Sequence, residues 1–332
     1  MTKNWLATGA LALTMGMSAT ASYAQTTTVP GEQVGLATGA PLPEGIYALN
    51  TFVYQSRDKS DLDVGVNIPV LVWSTPLVPL GGRIELLVAP PTVFAFGNRG
   101  GPAGLRDLSI NVGTFVGGIW AFDLGNNFGV SLLGGVYLNE LNGDRGVLVR
   151  NDGVLANVAG GGVGGGAVLP QLSSNTYRFG VAGSYTGDGY NLTANLTANI
   201  YDSPSSFGGG RAPNRAGFSQ VYSLSDSLNI DLTATKKFGK FEIGAIAYGT
   251  LNFDISAKAG GIINAAQAEG RGRFLMGGLV GYDFGFATAQ VYVARTVASS
   301  SFDSTEISGR LIVPLYSPTP VAAVAAPIIR KY

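Results

Sequence analysis

The segment YNLTANLTANIY, Tyr190–Tyr201, alternates without a break. Tyr190, Leu192, Ala194, Leu196, Ala198 and Ile200 fall at every second position, with Asn191, Thr193, Asn195, Thr197 and Asn199 between them. Successive side chains of an extended chain point to opposite sides, so this segment reads as a strand with one apolar and one amide- and hydroxyl-bearing face. The same period runs through Leu62 to Val72, where Leu62, Val64, Val66, Ile68, Val70 and Val72 alternate with Asp63, Gly65 and Asn67. It returns at Leu228, Ile230, Leu232 and Ala234 against Asn229, Asp231, Thr233 and Thr235. Weaker copies cover 83–89, 108–116, 128–138, 177–185 and 241–251.

Composition narrows what such a chain can be. The 332 residues hold 49 Gly, 13% charged residues, and neither Cys nor His. Without histidine there is no Ser-His or Cys-His nucleophile pair and no imidazole metal site; without cysteine there is no thiolate chemistry or disulfide. No cofactor, metal site or enzymatic activity is expected. Charged residues are scarce and glycine abundant against soluble proteins, which points to a surface that largely does not face water. Lys+Arg and Asp+Glu balance at 21 each, which argues against a nucleic-acid partner needing a basic face.

Met1 to Lys3 form a short basic start, Trp5 to Met17 an apolar stretch, and Ser22-Tyr23-Ala24 a small-residue cleavage site before Gln25. Residues 1–24 therefore read as a signal peptide and the mature chain as extracytoplasmic. The apolar stretch is too short to span a bilayer of about 30 Å, and no later segment offers 18 unbroken apolar residues.

Twelve segments carry the two-residue period: 45–56, 61–73, 81–92, 105–121, 128–140, 175–187, 189–202, 219–237, 240–253, 271–284, 286–298 and 304–316. From the second onward, short connections (74–80, 122–127, Asp188, Phe238-Gly239, Gly285) alternate with longer ones (93–104, 141–174, 203–218, 254–270, 299–303). An even number of antiparallel strands puts each class of connection at one end, as in outer-membrane barrels with tight periplasmic turns and long external loops. A soluble β-sandwich also alternates, but its strands commonly run five or six residues, whereas these match a tilted membrane crossing. The expected fold is all-β: a transmembrane antiparallel β-barrel of about 12 strands over 45–316, apolar faces toward lipid. It is preceded by a periplasmic segment, 25–44, that is a candidate plug, and followed by a tail, 317–332.

Pro43-Glu44-Gly45-Ile46-Tyr47 leading to Asn50, Gly82 to Pro90 (GRIELLVAP) and Gly104-Leu105-Arg106-Asp107-Leu108 resemble the outer-membrane transporter family of the meta pathway of phenol degradation. That family has a glycine-introduced aromatic strand, a strand ending in Val-x-Pro, and a Gly-Leu-Gly-Asp-Leu motif, from which this chain departs at Arg106. The motifs cover residues 41–120. The resemblance implies a barrel distantly similar to the fatty-acid and toluene channels, with aromatic or other apolar small molecules as substrates. It implies no catalytic residues.

Other motifs read as ordinary surface. Gly160 to Gly166 lacks the Gly-Lys-Ser/Thr of a phosphate loop and is expected in an external loop, as is Gly208 to Arg211. Asn191-Leu-Thr and Asn195-Leu-Thr match a glycan acceptor but lie inside a strand. Asp58, Asp61 and Asp63 lack the spacing of a calcium loop. Arg57, Lys59, Arg99 and Arg211 are candidate contacts for lipopolysaccharide phosphates.

Strand parity alone nominates the lumen set: Arg83, Glu85, Asn111, Arg178, Asn191, Asn195, Asn199, Asn229, Asp231, Lys240, Glu242 and Gln290. Burial of an isolated charge is costly, so Arg83 with Glu85 and Lys240 with Glu242 are expected to pair with each other or across the lumen. Trp73, Trp120, Tyr137, Tyr185 and Tyr282 are candidates for an interfacial girdle. Two roles stand at this point, a passive channel for small apolar compounds in the bacterial outer membrane or a barrel whose loops contact lipid or partners. Either would meet lipid, lipopolysaccharide and the barrel-assembly machinery.

Overall fold

The computed structural model of the protein describes residues 28–58, 62–97, 108–111, 113–138, 146–149, 155–157, 176–201, 221–223, 226–253, 262–264, 272–300 and 303–318. Residues 1–27, Lys59, Asp61, Arg99, the Gly104 to Asp107 motif, Gly160 to Gly166, Gly208 to Arg211 and residues 319–332 lie outside the described residues.

Twelve antiparallel strands close into a barrel: β1 (Gly45–Arg57), β2 (Leu62–Ser74), β3 (Gly82–Ala89), β4 (Thr114–Gly125), β5 (Phe128–Leu138), β6 (Thr176–Tyr185), β7 (Tyr190–Tyr201), β8 (Ser227–Phe238), β9 (Phe241–Asn252), β10 (Gly272–Asp283), β11 (Thr288–Ser299) and β12 (Ser304–Tyr316). Each pairs with its neighbour in sequence, and β12 closes on β1 with Arg57 opposite Ser304 and Asn50 opposite Leu311. Closure leaves no edge with unpaired backbone groups, which hydrocarbon could not satisfy.

The tight turns gather at the end where both β1 begins and β12 ends, and their residues suit the geometry. Asn126 and Asn127 take φ of 54° and 66°, Asp188 of 54°, and Gly239 and Gly285 sit at 63° and 89°. Positive φ is what two-residue hairpins of matching twist require, and Asn, Asp and Gly supply it most readily.

Outward and inward residues alternate on β7: Leu192, Leu196 and Ile200 are exposed on the outer wall, while Thr193, Asn195, Thr197 and Asn199 are buried inside. The expected parity is reversed on β2. Val64, Val66, Ile68 and Val72 face inward and are at most 5% exposed, whereas Leu71 and Trp73 are exposed outside. The register with β1 forces this, because Gln55 stands opposite Val64, Val53 opposite Val66 and Thr51 opposite Ile68, and all three β1 residues point inward. Directly opposed residues share a face. Val53, Val64, Val66 and Ile68 form a dry cluster with Val29 and Val93, so the apolar face of β2 is covered by protein and not by lipid.

Three segments expected as loop, 93–104, 141–174 and 254–270, carry strand. Thr92–Gly97 continues β3 beyond Pro90-Pro91 and pairs with β2, and Leu108–Asn111 pairs with it in turn. Within 141–174, Gly146–Val149 and Leu155–Asn157 extend this side sheet; Val221–Ser223 and Ile262–Asn264 form a separate parallel pair. The ladder from β2 to β3 and its continuation skips Ile68–Val70 opposite Ala89–Pro91. Three prolines, Pro69, Pro90 and Pro91, meet at this seam and none has an N–H to donate.

Girdle aromatics cluster at the tight-turn end. Trp73 is exposed, and ring centroids lie 4.8 Å apart for Trp120 and Phe122, 4.9 Å for Tyr185 and Phe128, both tilted, and 4.8 Å for Tyr282 and Phe241, edge to face. Tyr137 is a correction: it is buried inside the barrel against Phe115, because odd residues of β5 point inward.

Candidate functional site

Residues 28–42 run through the barrel interior, and the lumen side chains satisfy their backbone. Irregular backbone away from water needs such partners. The N–H groups of Gly31, Gly35 and Gly39 donate to Asp231 Oδ1, Thr233 Oγ1 and Ser184 Oγ at 2.8, 2.8 and 2.9 Å. In the other direction, Tyr292 donates to Gly31 O, Asn191 and Gln290 to Gly35 O, Ser131 to Thr38 O, and Asn229 to Thr28 O. Turns closed by Glu32 N to Val29 O, Leu36 N to Gln33 O and Ala40 N to Ala37 O bring one glycine to the wall every four residues. A Cβ on Gly31 would meet the Tyr248 ring at 2.9 Å, one on Gly35 the Leu279 methyl at 2.6 Å, and one on Gly39 the Ser184 backbone at 2.5 Å. Gly31 and Gly35 also hold φ of 84° and 81°, which favours glycine.

Two arginines fasten the segment. Arg178 forms an ion pair with Glu32, donates to Tyr137 Oη at 3.1 Å and lies 5.3 Å above the Phe115 ring. Arg310 donates to the carbonyls of Glu32 and Val34, to Gln290 Oε1 at 3.1 Å and to Thr51 Oγ1 at 2.9 Å. Farther up the wall, Glu306 accepts from Gln55 at 2.7 Å and from Tyr248 at 2.7 Å, and pairs with Arg273 at 2.8 Å.

Most residues nominated by parity converge on this seat. Asn195 donates to Gln33 Oε1 at 2.6 Å, Asn199 accepts from Thr28 Oγ1 at 2.6 Å, and Glu242 accepts from Thr235 and Gln290 at 2.6 and 2.9 Å. Among the described residues the expected charge pairs are not made. Lys240 is exposed in the β8–β9 turn, outside the lumen, because the strand ends before it. Arg83 is half-buried at the tight-turn rim and donates to Thr75 O at 2.6 Å, while Glu85 accepts from Leu42 N–H at 2.8 Å. Asn111 ends the short strand Leu108–Asn111, opposite Thr92. Parity missed Glu32, Arg273, Tyr292, Glu306 and Arg310. Glu32 is the sole charged residue in 25–42, and the Gly31, Gly35, Gly39 spacing stands in the sequence; both were readable signals of a seated segment.

The segment binds one side of the lumen and leaves the other open. Opposite the polar wall, a cavity of about 300 Å³ is lined by Leu49, Ile68, Val70, Val72, Leu87, Phe115, Ile119 and Leu133, with Leu36, Ala37, Ala40 and Pro41 of the segment as its other side. Its polar members are Glu85, Tyr47, Thr51, Ser131, Tyr137, Arg178, Asn195 and Arg310 of the wall and Glu32, Gln33 and Thr38 of the segment. Leu49 and Val70 also line a shallow apolar hollow on the outer wall beside Pro69, Leu71, Val88 and Pro90, so at the proline seam the barrel wall alone lies between cavity and lipid.

A closed antiparallel barrel with a lipid-facing apolar belt and an occupied interior defines a bacterial outer-membrane β-barrel. Residues 164–308 match the family described as putative MetA-pathway of phenol degradation, which bears out the family resemblance and falls downstream of the motifs at 41–120. Among solved structures, an outer membrane channel of Pseudomonas putida F1 is 12% identical over 83% of this chain and 97% of that one, with a TM-score of 0.55. The transport unit of the autotransporter AIDA-I from Escherichia coli is 13% identical over 91% and 97%, TM-score 0.47. The CymD monoaromatic hydrocarbon channel is 8% identical over 82% and 88%, TM-score 0.38. At these identities the likeness is one of fold, and the first superposes closely enough to bear on it. No curated protein matches the chain in sequence.

Proposed function

We propose that the protein is a passive outer-membrane channel for small apolar compounds, aromatic ones included, with residues 25–42 as a plug that excludes water and ions. The observation that carries this reading is the cavity between the seated segment and the inward apolar face of β1–β5, which offers a dry site to an apolar molecule and almost nothing to a sugar or salt. The description of the matching family, phenol degradation, and that of the Pseudomonas putida structure, an outer membrane channel, support it. The proline seam gives such a molecule a short way between cavity and bilayer. Assembly by the barrel-assembly machinery and loop contacts with lipopolysaccharide belong to the same reading; no enzymatic step does.

Cells carrying the protein are expected to take up a neutral aromatic such as toluene, supplied at low concentration, faster than cells lacking it. Equal uptake for a panel of aromatic and aliphatic compounds would overturn the channel in favour of a structural or surface-interaction barrel.

A further inference from the structure

The buried carboxylates of the interior are not equally satisfied. Glu242 spends one oxygen on Thr235 and the other on Gln290, and Glu306 engages Gln55 and Arg273 through one oxygen and Tyr248 through the other. Asp231 accepts from Gly31 and does not line the cavity. Glu85 does line it. Its residue is 3% exposed, Oε1 accepts from Leu42 N–H, and its other oxygen has no hydrogen-bond donor among the described residues. No cation hydrogen-bonds it among the described residues: Arg83 acts on it only through its charge and donates to Thr75 O, Arg178 pairs with Glu32, and Arg310 donates to the carbonyls of Glu32 and Val34.

A carboxylate oxygen without a donor in an apolar cavity is costly, and the cost is removed by a donor that arrives with the ligand. A hydrocarbon of the same shape leaves the oxygen bare, and a ligand carboxylate is repelled. Resting on the channel reading above, we propose that Glu85 is the specificity-determining residue of the cavity and that the preferred ligand is an apolar molecule, aromatic or aliphatic, carrying one uncharged hydroxyl. The hydroxyl donates to the free oxygen of Glu85 while the apolar body lies against Val72 and Leu87, which line the same cavity.

The matched pair p-cresol and p-xylene, which differ by hydroxyl for methyl, tests this on the intact mature protein in detergent micelles by calorimetric titration, with the micelle partition of each compound measured separately. The wild-type protein is expected to bind p-cresol about tenfold more tightly, the ratio one charge-assisted hydrogen bond supports. Glu85→Leu is expected to abolish the preference while keeping p-xylene affinity. Glu85→Gln, which keeps an acceptor for Leu42 N–H and so the seat of the segment, is expected to lower the preference several-fold; it carries the test if the leucine variant does not fold. Equal wild-type affinities, or a preference unchanged in the folded variants, overturn the assignment and leave the channel reading standing. Tighter binding of p-methylbenzylamine than of p-cresol assigns the carboxylate to a cation and overturns the hydroxyl. Binding of none of the three removes the channel reading itself.

Discussion

Asn195 and Leu196 are neighbours in sequence and opposites in environment. Leu196 is exposed on the outer wall, so Leu196→Lys places an ammonium in hydrocarbon at a cost of about 2 to 4 kcal/mol near the midplane. Asn195 lies inside, 5% exposed, but the lumen around it is not open water: its amide donates to Gln33 of the seated segment. Asn195→Lys is therefore expected to fold and to displace the segment. The heat-dependent gel shift of a folded barrel should be lost or weakened for Leu196→Lys and kept for Asn195→Lys, with single-channel conductance raised in the latter. Glu32 makes a sharper case, since its partner Arg178 is buried and would be left unpaired. Removing one member of a buried pair typically costs about 3 to 5 kcal/mol. Glu32→Gln is expected to loosen the segment without harming the barrel, whose strands owe Glu32 no pairing, and limited proteolysis after Gln25 should become faster than in the wild type.

At the scale of elements, the two-residue period was legible wherever one face meets lipid and the other meets polar groups, as on β7, because burial and alternation then agree. It misled on β2, where both faces are apolar enough to be ambiguous and the neighbour β1 decides orientation; pairing is not written in a single strand. The seated segment's hydrogen bonds were likewise illegible, since Asp231, Thr233 and Ser184 come within reach of Gly31, Gly35 and Gly39 only once the barrel has closed. The continuation of β3 past Pro90-Pro91 was hidden for a different reason. Proline reads as the end of a strand, and here the register survives it, with Asn67 opposite Thr92 and Leu71 opposite Val88 in one frame. That seam predicts a phenotype. Replacing Pro90 and Pro91 by Val restores two donors opposite Ile68–Val70 and should knit the wall. Amide exchange at Ile68 and Val70 is expected to slow, and uptake of a neutral aromatic to fall, with conductance unchanged. Uptake equal to wild type in a barrel with the slower exchange would remove the seam from the route.

For the whole molecule, the interior is divided between two solvents. One half of the wall, from β6 to β12, is a polar cradle whose donors and acceptors are taken up by residues 28–39; the other half is apolar and faces the cavity. The segment is thus held by hydrogen bonds on one side and leaves an apolar path on the other, and ions and apolar molecules should respond to it in opposite ways. A 12-strand barrel is wider than the 8-strand kind whose side chains fill it, so emptying the lumen opens a water path. Deleting residues 25–42 is expected to raise single-channel conductance in planar bilayers from near zero to a steady open level. The same deletion removes Leu36, Ala37, Ala40 and Pro41 from the cavity, floods the apolar wall with water and frees the donors of Asn191, Gln290 and Arg310. Hydrophobic capture weakens when one side of a pocket becomes solvent. Uptake of a neutral aromatic at low concentration should accordingly not rise with conductance and should fall toward that of cells without the protein. Measured together on one variant, a joint rise in conductance and uptake would make residues 25–42 a simple stopper in an aqueous pore, whereas opposite changes would make them one wall of the binding site.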